Sequence, residues 1–258
     1  MHVTRLAVGD FRRFDSVDIA PGPGLNLLLG PNGAGKTSVL EALHLMAYGR
    51  SFRGRVRDGL VREHAQALEV FVEWEEAGGP GELRRRAGLR HSGQDWTGRL
   101  DGQDVAHLGQ LCAALAVVTF EPGSHALIAG GAENRRRFLD WGLFHVEPDF
   151  LALWRRYARA LKQRNALLKA GGSTGQLDAW DRELADAGEG LTAFRERYLG
   201  ELVAPVRELG ARLAHGLELG GLDFHPGWRR QDLPLADALL LARERDRLSG
   251  HTGVGPHR

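Results

Sequence analysis

Between Gly30 and Thr37 the chain reads Gly-Pro-Asn-Gly-Ala-Gly-Lys-Thr. A glycine, four residues, then Gly-Lys-Thr is the spacing of a loop that holds a polyphosphate. Glycines at 30, 33 and 35 let the loop wrap an anion and turn its N–H groups inward, where a Cβ would obstruct the positive φ or the close approach. Lys36 adds a compact charge for the β- and γ-phosphates, and the Thr37 hydroxyl is a ligand for Mg2+. With Pro31, Asn32, Ala34 and Ser38, these residues form the candidate nucleotide site, Lys36 and Thr37 in the catalytic roles. The chain has 31 Arg and only 3 Lys, yet Lys36 is one of the three. A broad guanidinium fork would not sit in the cradle as a point charge does. The motif points to a nucleoside triphosphate and is silent on which one. The guanine-specificity pattern Asn-Lys-x-Asp is absent from the sequence.

The loop needs elements to hold it. Leu25-Asn-Leu-Leu-Leu reads as a buried strand entering it, and residues 36–48 as a helix leaving it with its N-terminal dipole toward the anion. Residues 1–29 alternate as short strands around the turn Pro21-Gly-Pro-Gly24. Leu68–Trp74 alternates as a strand, and Arg99-Leu-Asp-Gly-Gln carries an Asp-Gly hairpin signal. A helix at 104–113 leads to the apolar run 115–120, read as a strand. Helical patterns then dominate, at 133–145, 148–169 and 177–217, the last interrupted near Pro205. A short strand near Leu222–His225 and a helix at 234–247 follow. The expectation is an α/β fold in which a P-loop lobe, 1–118 plus 222–258, is interrupted by a helical lobe, 119–221.

Charge bounds the partners. The formal charge is only +1 in 258 residues, so any nucleic-acid footprint must be local. The helix at 151–169 carries Arg155, Arg156, Arg159, Lys162, Arg164 and Lys169 with no acid. It is either a phosphate-contacting surface or a face balanced by Asp178, Asp181, Glu183 and Asp186 on the next helix. The five arginines of 50–62 are a second basic candidate. Arg135-Arg-Arg137 opens a helix against its dipole and is read as paired with Glu133 and Asp140. Ser92-Gly-Gln94 and Ser173-Thr-Gly-Gln176 imitate an ABC signature and are read as loops. Glu121 imitates a Walker B acid and is set aside, because that acid is usually Asp. The histidines form no metal-binding pair, so no zinc is proposed. The single Cys112, and the absence of a leader pattern or of about 18 consecutive apolar residues, predict a cytoplasmic protein with no membrane span.

Several stretches together resemble the RecF family, relatives of the SMC-type ATPases. They are Leu6…Phe11-Arg-Arg13, the loop Gly30–Thr37, Gly49-Arg-Ser-Phe-Arg53, Gly130-Gly-Ala-Glu-Asn-Arg-Arg-Arg-Phe-Leu-Asp-Trp141, Leu161-Lys-Gln-Arg-Asn-Ala166 and Gly250-His-Thr-Gly-Val-Gly-Pro-His-Arg258. The resemblance implies an ABC-type ATPase head that binds ATP–Mg2+, with Arg12 or Arg13 near the phosphates or base. It implies head-to-tail homodimerisation around ATP, and work on DNA at single-strand gaps or duplex junctions with RecR and RecO. The roles implied are recombinational repair, replication restart and the SOS response, with Arg155, Arg159 and Lys162 as candidate DNA contacts. In the family the signature motif and the Walker B Asp follow the Gly-Pro-His-Arg segment. This chain has neither, so slow hydrolysis is expected of a chain of the family's length and negligible turnover of this one. The rival readings are a P-loop small-molecule kinase and a nucleotide-independent DNA-binding scaffold.

Overall fold

The computed structural model describes residues 1–53, 59–76, 83–214, 216 and 220–258. It divides into two units, Met1–Phe120 and Glu121–Arg258.

The first unit is built on one sheet. Strands β1 (His2–Phe11), β2 (Phe14–Ile19), β3 (Leu68–Glu76), β4 (Leu83–His91), β5 (Trp96–Leu100) and β6 (Gln103–Asp104) pair antiparallel in the order β2-β1-β3-β4-β5-β6. Period-two alternation sends Leu6 and Val8, then Val70, Val72 and Trp74, then Ala87 and Leu89, to one face. Helices α1 (Lys36–Tyr48) and α2 (Leu108–Ala114) cover that face with Ala42, Leu45, Met46 and Leu111. The Asp-Gly signal is realised between β5 and β6, where Asp101 and Gly102 take φ of 52° and 86°, as a two-residue hairpin turn requires.

Three predicted strands do not form. Residues 25–29, 115–120 and 222–225 run without ladder pairing. Leu25, Leu27 and Leu29 are 96%, 74% and 81% exposed. Alternation records which side of a segment is apolar, but a strand also needs a neighbour's N–H and C=O groups, and no described residue supplies them here. Residues 115–120 are tethered instead by side chains. Tyr48 Oη donates to Val117 O at 2.9 Å, and His44 Nδ1 lies 2.8 Å from Thr119 Oγ1.

The second unit is helical. After a turn at Pro122–His125 come α3 (Ala126–Ala129), α4 (Ala132–Val146), α5 (Phe150–Ala170), α6 (Thr174–Leu213) and α7 (Leu235–Ser249). Helix α6 runs through Pro205 without the expected break. The carbonyl of Glu201, which Pro205 cannot serve, is on an exposed residue where water can satisfy it. Residues 222–258, predicted to rejoin the P-loop lobe, belong to the helical unit. Leu235 and Leu239 of α7 are fully buried beside Tyr157, Leu184 and Leu191, so apolar burial decides the assignment. Arg164 anchors the same segment. It has no exposed surface, and its guanidinium reaches Asp181 Oδ1 at 2.5 Å, Asp246 Oδ2 at 2.8 Å and Thr252 Oγ1 at 2.9 Å.

Candidate nucleotide site

The loop enters α1 through Gly35, the residue before its first turn, at φ 92°. Gly33 takes φ 83° with open space where a Cβ would project, so conformation alone demands glycine there. At Gly35 both demands apply, because a Cβ would collide with the tip of the Phe14 ring. The backbone N–H groups of Asn32, Gly33, Gly35, Lys36 and Thr37 make no hydrogen bond with a described residue. Five unpaired N–H donors in the loop and first turn at a helix N-terminus are what an anion requires. Lys36 Nζ donates to the carbonyls of Gly30 at 2.7 Å and Pro31 at 2.9 Å, folding the ammonium over its own loop. The Thr37 hydroxyl has no described partner. The residues present thus fit a Mg2+-bound polyphosphate: amide donors for the phosphates, Lys36 for their charge, and Thr37 for the metal.

The turn Arg12-Arg13 between β1 and β2 lies beside this loop. Arg12 adopts φ 58°, costly for a residue with a Cβ, and is pinned by its own N–H to Leu60 O at 2.7 Å. Its side chain is spoken for. Nε and Nη2 donate to the two carboxylate oxygens of Glu41 at 3.1 and 2.7 Å, and Nη1 donates to Gly59 O at 3.2 Å. Ser51 Oγ donates to the same carboxylate, and Arg53 Nη1 lies 3.7 Å from it. Glu41 is fully buried, so this hub joins α1 to the β1–β2 turn and to the segment after α1. Arg13 is exposed, and its side chain makes no hydrogen bond to a described residue. Of the Arg12–Arg13 pair expected near the nucleotide, Arg12 is the one that also holds the buried Glu41. Glu41 went unpredicted, although Ser38, Glu41, Ala42 and Leu45 share the buried stripe of α1. A charged residue on that stripe is the sequence signal for a buried partner. Replacing Glu41 with Ala leaves Arg12 half-stranded. The expected loss is about 3 kcal/mol of stability, the low end for a broken buried pair, measurable by urea denaturation.

One turn along α1 from Glu41, His44 stacks on Tyr48 at 4.1 Å and meets Phe52 edge-on. Burial pushes its pKa down to about 4, so near neutral pH the imidazole is uncharged and holds Thr119 as a neutral partner.

The basic candidates of the helical unit divide. Arg156 donates to Glu183 at 2.6 and 2.8 Å and lies 3.6 Å from Asp186. Arg164 is the buried residue described above. Arg155, Arg159 and Lys162 are exposed, and their side chains form no hydrogen bond or ion pair with a described residue. Arg136 and Arg137 bind Glu133, and Arg135 donates to carbonyls at the end of α3, whereas Asp140 pairs with Arg195. In the 50–62 stretch, Arg53 and Arg62 meet acids, while Arg55 and Arg57 lie outside the described residues. Ser173 is the N-cap of α6, and it and Gln176 form a reciprocal capping box, which accounts for that imitation signature without a ligand. Ser92 Oγ accepts from the N–H of Asp95 within a turn. Glu121 precedes the turn at Pro122–His125. Among the described residues no helix is long and apolar enough to cross a membrane.

An antiparallel sheet backed by the helix of a phosphate loop, followed by a helical unit, defines an ATPase head of the ABC type. Two solved structures of the recombination mediator protein RecF of the RecFOR pathway share this fold. The one with ATPrS aligns at TM-score 0.83 and 22% identity over all of this chain and 71% of its own, and the one with ATP at 0.82 and 24% over 99% and 71%. An AAA-domain family model matches residues 5–75. The DNA replication and repair protein RecF of Stenotrophomonas maltophilia is 70% identical across the full chain, which spans 71% of that protein. The RecF of Xanthomonas axonopodis pv. citri is 69% identical, and that of Pseudomonas paraeruginosa 38%, with 70% and 69% of their lengths covered. The chain belongs to the RecF family of DNA replication and repair proteins.

Proposed function

We propose that the chain binds ATP–Mg2+ in the loop Gly30–Ser38 and serves as an ATP-controlled DNA-binding protein in recombinational repair and replication restart. The observation that carries this reading is the set of five unused backbone N–H groups around Lys36, in a chain of this family. Bound Mg2+ would neutralise phosphate charge. Lys36 would leave the carbonyls of Gly30 and Pro31 for the phosphates, and Thr37 would ligand the metal. The reading extends to slow hydrolysis, to an ATP-dependent head-to-tail homodimer, and to action with RecR and RecO at gapped DNA, in the cytoplasm.

DNA contact is assigned to the exposed cations of α5. With a net charge of +1, one molecule offers only a local footprint. Dimerisation doubles the contacts along one duplex, a physical route by which ATP strengthens DNA binding. Replacing Arg155, Arg159 and Lys162 together with Ala should weaken binding and flatten the slope of log K against log salt by about 2.7 for each protomer on the duplex, or about 0.9 for each phosphate no longer neutralised. ATP affinity should stay unchanged. Titrations of labelled gapped DNA at several salt concentrations, with and without ATP, measure both. An unaltered slope would remove α5 from the interface.

A further inference from the structure

Arg229 and Arg245 are both exposed, and neither side chain forms a hydrogen bond or ion pair with a described residue. Their neighbours behave otherwise. Arg230 pairs with Glu189 and Glu196, and Arg243 with Asp178 and Asp181. Both arginines line a groove of about 360 Å3 in the helical unit, between the loop before α7 and α7 itself. Its apolar lining comes from Trp228, Leu233, Leu241 and Val254, with Ala238 and Ala242 of α7. The indole is fixed by donating Nε1–H to Leu233 O at 3.2 Å, so the groove is formed in advance of any occupant. Leu241 is 79% exposed, a large apolar side chain left uncovered in the groove, whereas Leu235 and Leu239 of the same helix are fully buried.

From this arrangement we infer a docking site for an acidic peptide segment carrying one apolar anchor, built from none of the residues of the nucleotide loop or of α5. The volume suits one large side chain or two small ones. Two exposed arginines on the lining of an apolar groove complement carboxylates next to such an anchor, to which guanidinium forks can bond bidentately. A nucleic acid fits less well. The floor is mostly aliphatic rather than a stacking platform, and Asp237 and Glu244, exposed on α7 outside the lining, oppose a long polyanion more than a short peptide.

The test is fluorescence anisotropy of a labelled Asp-Glu-Asp-Leu-Phe peptide against the 258-residue chain. Saturable binding is expected, with a Kd on the order of 100 μM or tighter. The double variant Arg229→Glu/Arg245→Glu should weaken it at least about tenfold, and Leu241→Ser severalfold. A peptide with Lys in place of the acids should not bind, and the Arg155/Arg159/Lys162 alanine variant should bind as the parent does. Circular dichroism confirms that each variant is folded, and should the double reversal misfold, Leu241→Ser decides. No saturable binding, or binding indifferent to both sets of changes, overturns the inference. So does equal competition by an oligo-dT of matched charge, which would assign the two arginines to phosphate.

Discussion

Lys36→Met should lower ATP affinity at least about 100-fold while leaving the fold intact. Within the folded chain Lys36 makes only two exposed side-chain hydrogen bonds, to Gly30 O and Pro31 O, so losing them should change stability by no more than about 0.5 kcal/mol. With polyphosphate present, the same ammonium supplies charged hydrogen bonds worth about 1.5–3 kcal/mol each, and two of them exceed two decades of affinity. Isothermal titration with ATP–Mg2+ measures the first quantity and thermal denaturation the second. Undiminished ATP affinity would remove the loop from nucleotide binding. DNA binding by the same variant separates the readings. An ATP-gated protein loses the ATP-dependent increment, whereas a nucleotide-independent scaffold binds DNA as before.

Arg164→Ala should destabilise the helical unit by about 3–5 kcal/mol, because Asp246 and Asp181 are buried acids that it neutralises. Asp181 keeps Arg243 at 2.5 Å, but Asp246 keeps only the N–H of Gly253 at 2.9 Å on its other oxygen. One guanidinium nitrogen, Nη2, has no partner among the described residues even in the intact network, so the cluster is not optimised for stability. It follows that the combined change Arg164→Met with Asp246→Asn should recover more than half of the loss, since Asp246 then leaves no uncompensated charge buried. Urea denaturation of the single and double variants checks both statements, and equal loss in the two would show that packing, not charge, holds the segment. Anchoring of Gly250–Arg258 depends on the same part of the fold. Asn165 Oδ1 accepts from Thr252 N at 2.8 Å, and Tyr157 Oη lies 2.7 Å from His257 Nδ1.

Local chemistry and local periodicity were legible in the chain before any fold was known. The glycine spacing of 30–37 pointed to a loop of positive φ, which Gly33 and Gly35 take, because residue type decides which backbone conformations are open. The helices near 36–48, 133–145, 148–169 and 234–247 were readable because an apolar stripe at helical spacing needs no distant partner to reveal it. The Asp101-Gly102 turn was readable for the same reason. Whatever depends on a neighbour was settled only by the folded arrangement. Leu25–Leu29 and Leu115–Phe120 have strand-like patterns, yet no described strand pairs with them. Nothing in the string Phe-Arg-Arg pairs Arg12 with Glu41, and only the approach of α1 brings the two together, 29 positions apart. In the acid-free run of α5, residue type could not separate Arg156 and Arg164 from Arg155, Arg159 and Lys162. Which cations meet acids and which meet water is set by how α5 faces α6 and α7. Pairing across a fold is a matter of distance in space, and separation along the chain does not encode it.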